Sequence, residues 1–200
     1  LTIRDINHIL ARFDNKKKTS FDADYADFLY ENYKNNQIDD SDDRDKLYRL
    51  FSGKRILLIA PGSSIISYEH KIKKFIEMEK PIIVSINFIP ELFDVDFAFF
   101  SNNKRFSNFE NISCKTIITS NLVDDSADFK IDYNSLSGAF DQGCNSFIMI
   151  LKLLKEMNLK AIYVVGADGY IENGKNYYTN NIRTYTEHGN KFNLAVINAM

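Results

Sequence analysis

The sequence predicts an α/β fold, a mainly parallel sheet covered by helices on both faces in three layers. Three observations predict it. Short unbroken apolar runs recur along residues 54–200: RILLIA at 55–60, IIVSI at 82–86, DFAFF at 96–100, TIIT at 116–119 and AIYVV at 161–165. Runs without polar alternation suit strands buried on both faces, as parallel strands are. Segments with apolar residues at helical spacing lie between several of them, and Gly53, Pro61-Gly62, Pro81 and Gly166 punctuate the changes of period.

The elements follow in chain order. Ile3, Ile6, Leu10 and Phe13 recur at helical spacing, and Thr2 followed by Asp5 is a capping start. Tyr25, Phe28, Leu29 and Tyr33 put one apolar face on a second helix at 22–34. Residues 37–45 (QIDDSDDRD) read as a solvated acidic turn, with Ser41 as an N-cap for the next helix. That helix, 45–51, turns Leu47, Leu50 and Phe51 inward, and Gly53 caps its end. Residues 1–53 therefore read as a helical linker or arm, and 54–200 as the sheet domain. In the latter, 69–79 is a helix with Ile72, Phe75 and Ile76 inside. Residues 146–157 and 184–200 are further helices, and five strands make the sheet.

Composition narrows the partners. The 200 residues carry 25 Lys+Arg and 27 Asp+Glu, a formal net charge of −2. With no basic excess there is no electrostatic footprint for nucleic acid. The arm holds nine basic and eleven acidic residues, which leaves the sheet domain neutral. No apolar run is long enough to span a membrane. Two cysteines, Cys114 and Cys144, make neither a disulfide framework nor a thiolate zinc site. Three scattered histidines suggest no metal centre. The first residue is Leu1, with no signal-peptide pattern, so the chain reads as a piece of a longer cytoplasmic protein.

In open α/β sheets ligands bind beyond the carboxyl ends of the strands. After the first strand come Gly62, Ser63 and Ser64, where a glycine admits a close ligand and hydroxyls and amides can bind it. Asn87 follows the second strand and Asn102 the third, each able to donate and accept toward a base edge or ribose. Lys104 and Arg105 stand next, either meeting a phosphate or simply solvated. Gly143 and Ser146 open a helix, and Asp168 ends the last strand between two glycines, suited to a hydroxyl or a cation. Residues 173–181 (NGKNYYTNN) form a tyrosine-rich loop or hairpin. His188 is either an exposed loop histidine or a base, the side-chain type best suited to that role near neutral pH.

Two family resemblances follow. LTIRDIN at the start, then GKRILLIAPGSSI, VSINFIPELFDVDFAFFSNNKR and GADGY, resemble the C-terminal region of HMG-CoA-lyase-like aldolases. These are encoded among bacterial surface-polysaccharide genes and often labelled 4-hydroxy-2-oxovalerate aldolase. In them the lyase chemistry belongs to an N-terminal TIM barrel, so the resemblance makes this chain the appended domain and the barrel its partner.

More loosely, residues 54–200 are similar to bacterial sialyltransferases and motility-accessory-factor glycosyltransferases, which bind CMP-sialic acid on a Rossmann-like sheet. This resemblance implies that Gly62 and Ser63 line the phosphate region and that Asn87 and Asn102 hold the nucleotide. It places Ser146 on the donor, Tyr170 and Tyr177 near the donor phosphate, and His188 as the base acting on an acceptor hydroxyl. The loop here reads APGSS, and Asp141-Gln142 stand where that family has an Arg. The expectation is a Rossmann-like domain that binds a nucleotide or CMP-type nucleotide-sugar. The alternatives are an active glycosyltransferase and a non-catalytic subunit-interaction module.

Overall fold

A computed structural model describes residues 37–109, 112–122, 124, 126–137 and 145–169. The predicted helices at 3–13, 22–34 and 184–200 lie outside them. The described elements are α1 (Ser41–Phe51), β1 (Arg55–Ile59), α2 (Ser64–Ser67), α3 (Glu69–Glu79), β2 (Ile82–Ile86), β3 (Phe97–Phe100), α4 (Asn103–Phe106), β4 (Lys115–Thr119), β5 (Phe129–Ile131), α5 (Tyr133–Leu136), α6 (Ser146–Lys155) and β6 (Ala161–Val165). The strands form one six-stranded sheet in the order β5-β4-β3-β2-β1-β6. Every pairing is parallel. This is a Rossmann-like α/β sandwich.

The apolar runs form strands because both faces are covered. One face buries Ile56, Leu58, Val84, Ile86, Phe97 and Phe99 against α1, α5 and α6. The other buries Leu57, Ile59 and Ile83 under Ile65 of α2 and Ile72 of α3, with Phe88 and Phe93 from the β2–β3 connection. Farther along that face, Ala98, Phe100 and Ile118 pack with Leu122. Phe51 meets Phe97 edge-on, with ring centroids 4.9 Å apart, in the geometry the aromatic quadrupole favours.

Three expectations change. The helix before β1 begins at Ser41, so most of the supposed acidic turn is helical. Those acids are not merely solvated either, because Asp43 accepts a main-chain hydrogen bond from Lys130 in β5 and Asp40 one from Asp132 just after it. The helix was assigned to the arm, yet its Leu47 and Phe51 are fully buried in the sheet's core. The sheet also has a sixth strand, β5, which the sequence reading missed. Three residues, Phe-Lys-Ile, are too short a run to show a period.

The helix end is as expected, and the third strand starts one residue later than expected. Gly53 follows the C-cap residue Ser52 with φ of +71°, the left-handed conformation a helix end uses. Asp96, read as part of the third strand, instead precedes it. Its carboxylate accepts from the Ile83 amide at 2.8 Å, tying the start of β3 to β2.

Candidate functional site at the carboxyl rim

From β1 the chain steps to β2 and onward to β5, then crosses the whole sheet to lay β6 on the other side of β1. The direction of progress therefore reverses at β1, which places the topological switch point between β1 and β6. The loops leaving those strands meet there. The Ala60 amide donates to the Val165 carbonyl at 2.9 Å and the Gly62 amide to the Gly166 carbonyl at 2.8 Å. Asp168 reaches across the gap. Its carboxylate accepts from the Ser64 amide at 2.7 Å and from the Ser64 hydroxyl, with the Ser63 hydroxyl at 3.4 Å. Gly62, Ser63, Ser64 and Asp168 thus converge as the sequence reading expected.

The reason for Gly62 differs from that expectation. A Cβ on it would stand 2.2 Å from the Gly166 carbonyl oxygen and 2.6 Å from Cγ of Asp168. The glycine admits the β6 loop, not a ligand. The Ser64 amide, expected to be available to a ligand, already faces a carboxylate of the same chain. Asp168 itself is exposed, so its oxygens remain open to additional donors from solvent.

A second polar group lies beyond β2 and β3. Asn87 adopts φ of +58°, a conformation Asn tolerates better than most residues. Its side-chain oxygen accepts from the Ser101 amide at 3.1 Å, and its amide nitrogen donates to the Ser146 hydroxyl at 2.5 Å. The Ser101 and Ser146 hydroxyls are 2.6 Å apart. Asn121, after β4, donates to the Ser101 carbonyl at 3.3 Å and accepts from the Thr119 hydroxyl. Asn87 and Ser146 are therefore brought together, but by direct bonding that fixes the start of α6 over the ends of β2 and β3. Asn145 completes that start by capping α6 through the Phe147 amide at 2.8 Å.

Asn102 sits on the same rim as an N-cap, its side-chain oxygen 3.2 Å from the Arg105 amide. That bond gives it a structural task in place of the nucleotide contact expected of it. Ser101 and Asn121 were not singled out from the sequence. The usable signal was position, since each stands one or two residues past the end of a strand. Gly143, Tyr170, Tyr177, His188 and the Lys104 side chain lie outside the described residues.

Among the described residues no group of three or more His, Cys, Asp or Glu side chains could hold a metal ion. No described helix is long and apolar enough to cross a membrane. Burial pushes the Cys114 thiol above its ordinary value, with the charges of Asp128 and Asp96 acting in the same direction, so it is a poor nucleophile.

Two open grooves among the described residues lie away from the rim. One of about 490 Å³ runs between Lys73, Lys80 and Asp96 at the amino ends of β2 and β3. Another of about 400 Å³ lies around Phe109, Cys114 and Asp128. We favour the rim, because it is the carboxyl side of the switch point and polar side chains past the ends of β1, β2, β3, β4 and β6 line it in two hydrogen-bonded groups. Comparison of the chain with protein-family models, with curated proteins and with solved structures finds no match.

Proposed function

We propose that this chain is an accessory domain that binds a nucleotide or nucleotide-sugar at the carboxyl rim. In this reading it is appended to the TIM barrel of an aldolase-type protein of bacterial surface-polysaccharide synthesis and works in the cytoplasm. The observation that carries the binding proposal is the convergence of Ser63, Ser64 and Asp168 at the β1–β6 switch point. The family assignment rests on the sequence resemblance alone.

Charge sets the orientation of the ligand. A phosphate laid over Asp168 would meet a carboxylate, and like charges at hydrogen-bond range repel. The hydroxyl-bearing part of the ligand faces Asp168, where sugar hydroxyls can donate to it. The phosphates lie to one side. The mutual bonding of Asn87, Ser101 and Ser146 favours binding over catalysis, since it gives those groups a fixed scaffolding task.

Thermal unfolding with CMP, UDP, GDP and their sugar conjugates tests this. A ligand that binds only the folded state at a hundredfold excess over its Kd adds about 2.7 kcal/mol, a shift of several degrees. We expect such a shift with at least one of them, and its loss in Asp168→Ala. No shift with any at millimolar concentration sinks the binding proposal and leaves the interaction module. Turnover of a CMP-sugar that vanishes in His188→Ala would make the domain a transferase instead.

A further inference from the structure

The outer edge of the sheet at β5 is closed in an unusual way. The Ile131 carbonyl faces β4, where it accepts from the Ser120 amide at 2.9 Å. The N–H groups on either side of it, at Lys130 and Asp132, therefore face outward. Neither is left to solvent. The Lys130 amide donates to Oδ2 of Asp43 at 2.9 Å, and the Asp132 amide donates to Oδ2 of Asp40 at 2.8 Å.

Each carboxylate is held from behind by a cation on its other oxygen. Oδ1 of Asp40 takes Arg44 Nε at 2.9 Å, and Oδ1 of Asp43 takes Lys46 Nζ at 2.9 Å. Arg44 also fastens to Glu156 and, at 2.6 Å, to the Ser135 hydroxyl. The Ile38 amide returns to Oδ1 of Asp132 at 3.5 Å. Two acids three residues apart thus serve two amides two residues apart, as a neighbouring strand's carbonyls would.

We propose that residues 38–44 are an edge guard, a side-chain substitute for a seventh strand that keeps β5 from pairing with a second copy of this chain. An open edge of outward N–H groups is a template for strand addition, and proteins cover such edges or place charge on them. Here covering and charge come from the same carboxylates. The occupant excluded is a second copy, because every copy carries the same edge and a two-fold pairing is self-complementary.

The test is Asp40→Ala/Asp43→Ala in the full chain, with weight-average mass measured by sedimentation across a concentration series. We expect about a twofold rise over the wild-type mass at high concentration, the signature of pairing between copies. Ile150→Ala, which weakens the core beneath α6 without touching the edge, should keep the wild-type mass at the same concentrations. If the double variant keeps the wild-type mass, or if Ile150→Ala associates as strongly, the guard is refuted. Should the double variant fail to fold, hydrogen exchange on the wild-type chain decides. Slow exchange at the Lys130 and Asp132 amides supports the guard, and exchange at the rate of an open chain overturns it.

Discussion

Gly53 and Gly166 share the same backbone conformation, φ of +71°, yet they should respond differently to a methyl group. Nothing lies within 4 Å of a Cβ placed on Gly53. Gly53→Ala should therefore cost only the left-handed strain, about 1 kcal/mol. On Gly166 the added atom would stand 2.1 Å from the Ala60 carbonyl oxygen and 2.7 Å from the Ile65 side chain. The β1 and β6 loops would have to part, and Gly166→Ala should cost about 3 kcal/mol or more. Urea unfolding of the two variants measures the difference, and equal losses would contradict the close approach.

Cys114 gives a prediction in pH. Its folded thiol pKa is raised above the ordinary 9.0, first by burial and then by the nearby acids. The neutral thiol is the favoured form, so its contribution to stability is complete below the unfolded pKa. That contribution is lost as the pH rises through the folded value, and alkali weakens the fold through this group. In a Cys144→Ser chain, alkylation near neutral pH should be slower than that of a free thiol. The rate should climb only above the ordinary thiol range. Fast alkylation at pH 7 would contradict the burial.

Helix α1 shows how an element can be read correctly and assigned wrongly. Its inward positions Leu47 and Phe51 were evident from spacing, but what they would meet was not. Periodicity says which face is apolar and nothing about the surface that covers it. In the structure they complete the core over Phe97 and Phe129. Phe51→Ala should lower the stability of the whole sheet by about 3–5 kcal/mol. Unfolding followed by helix and by tyrosine signals should keep one shared midpoint. A helical signal that melts alone would return α1 to a separate arm.

At the scale of the whole molecule, the crossing from β5 to β6 has the largest consequence. It moves the chain from one edge of the sheet to the far side of β1 and creates the switch point where Asp168 meets Ser64. The same route leaves β5 as an edge, and the acids before and within α1 close it. Site and guard thus lie at opposite ends of one strand order. Side-chain bonds follow the rim between them, from Asp132 through the Ser120 hydroxyl at 3.5 Å, and from Asn121 through Ser101 to Asn87.

The sequence by itself determined the α/β class, five of the six described strands, the helices at α3 and α6, and the polar residues at the strand ends. These are legible because burial on two faces and helical period are local properties of a few consecutive residues. It also led to the expectation that Gly62, Ser63, Ser64, Asn87 and Asp168 share one rim, because parallel strands all present their carboxyl ends on the same side. Only the tertiary structure decided what those residues touch. Gly62 faces the β6 loop, Asp168 takes the Ser64 amide, Asn87 joins Ser101 to Ser146, and Asp40 and Asp43 seal a strand some ninety residues away. The physical reason is that a polar side chain bonds whatever donor or acceptor lies within about 3 Å, and that neighbour is set by strand order, which no local pattern encodes.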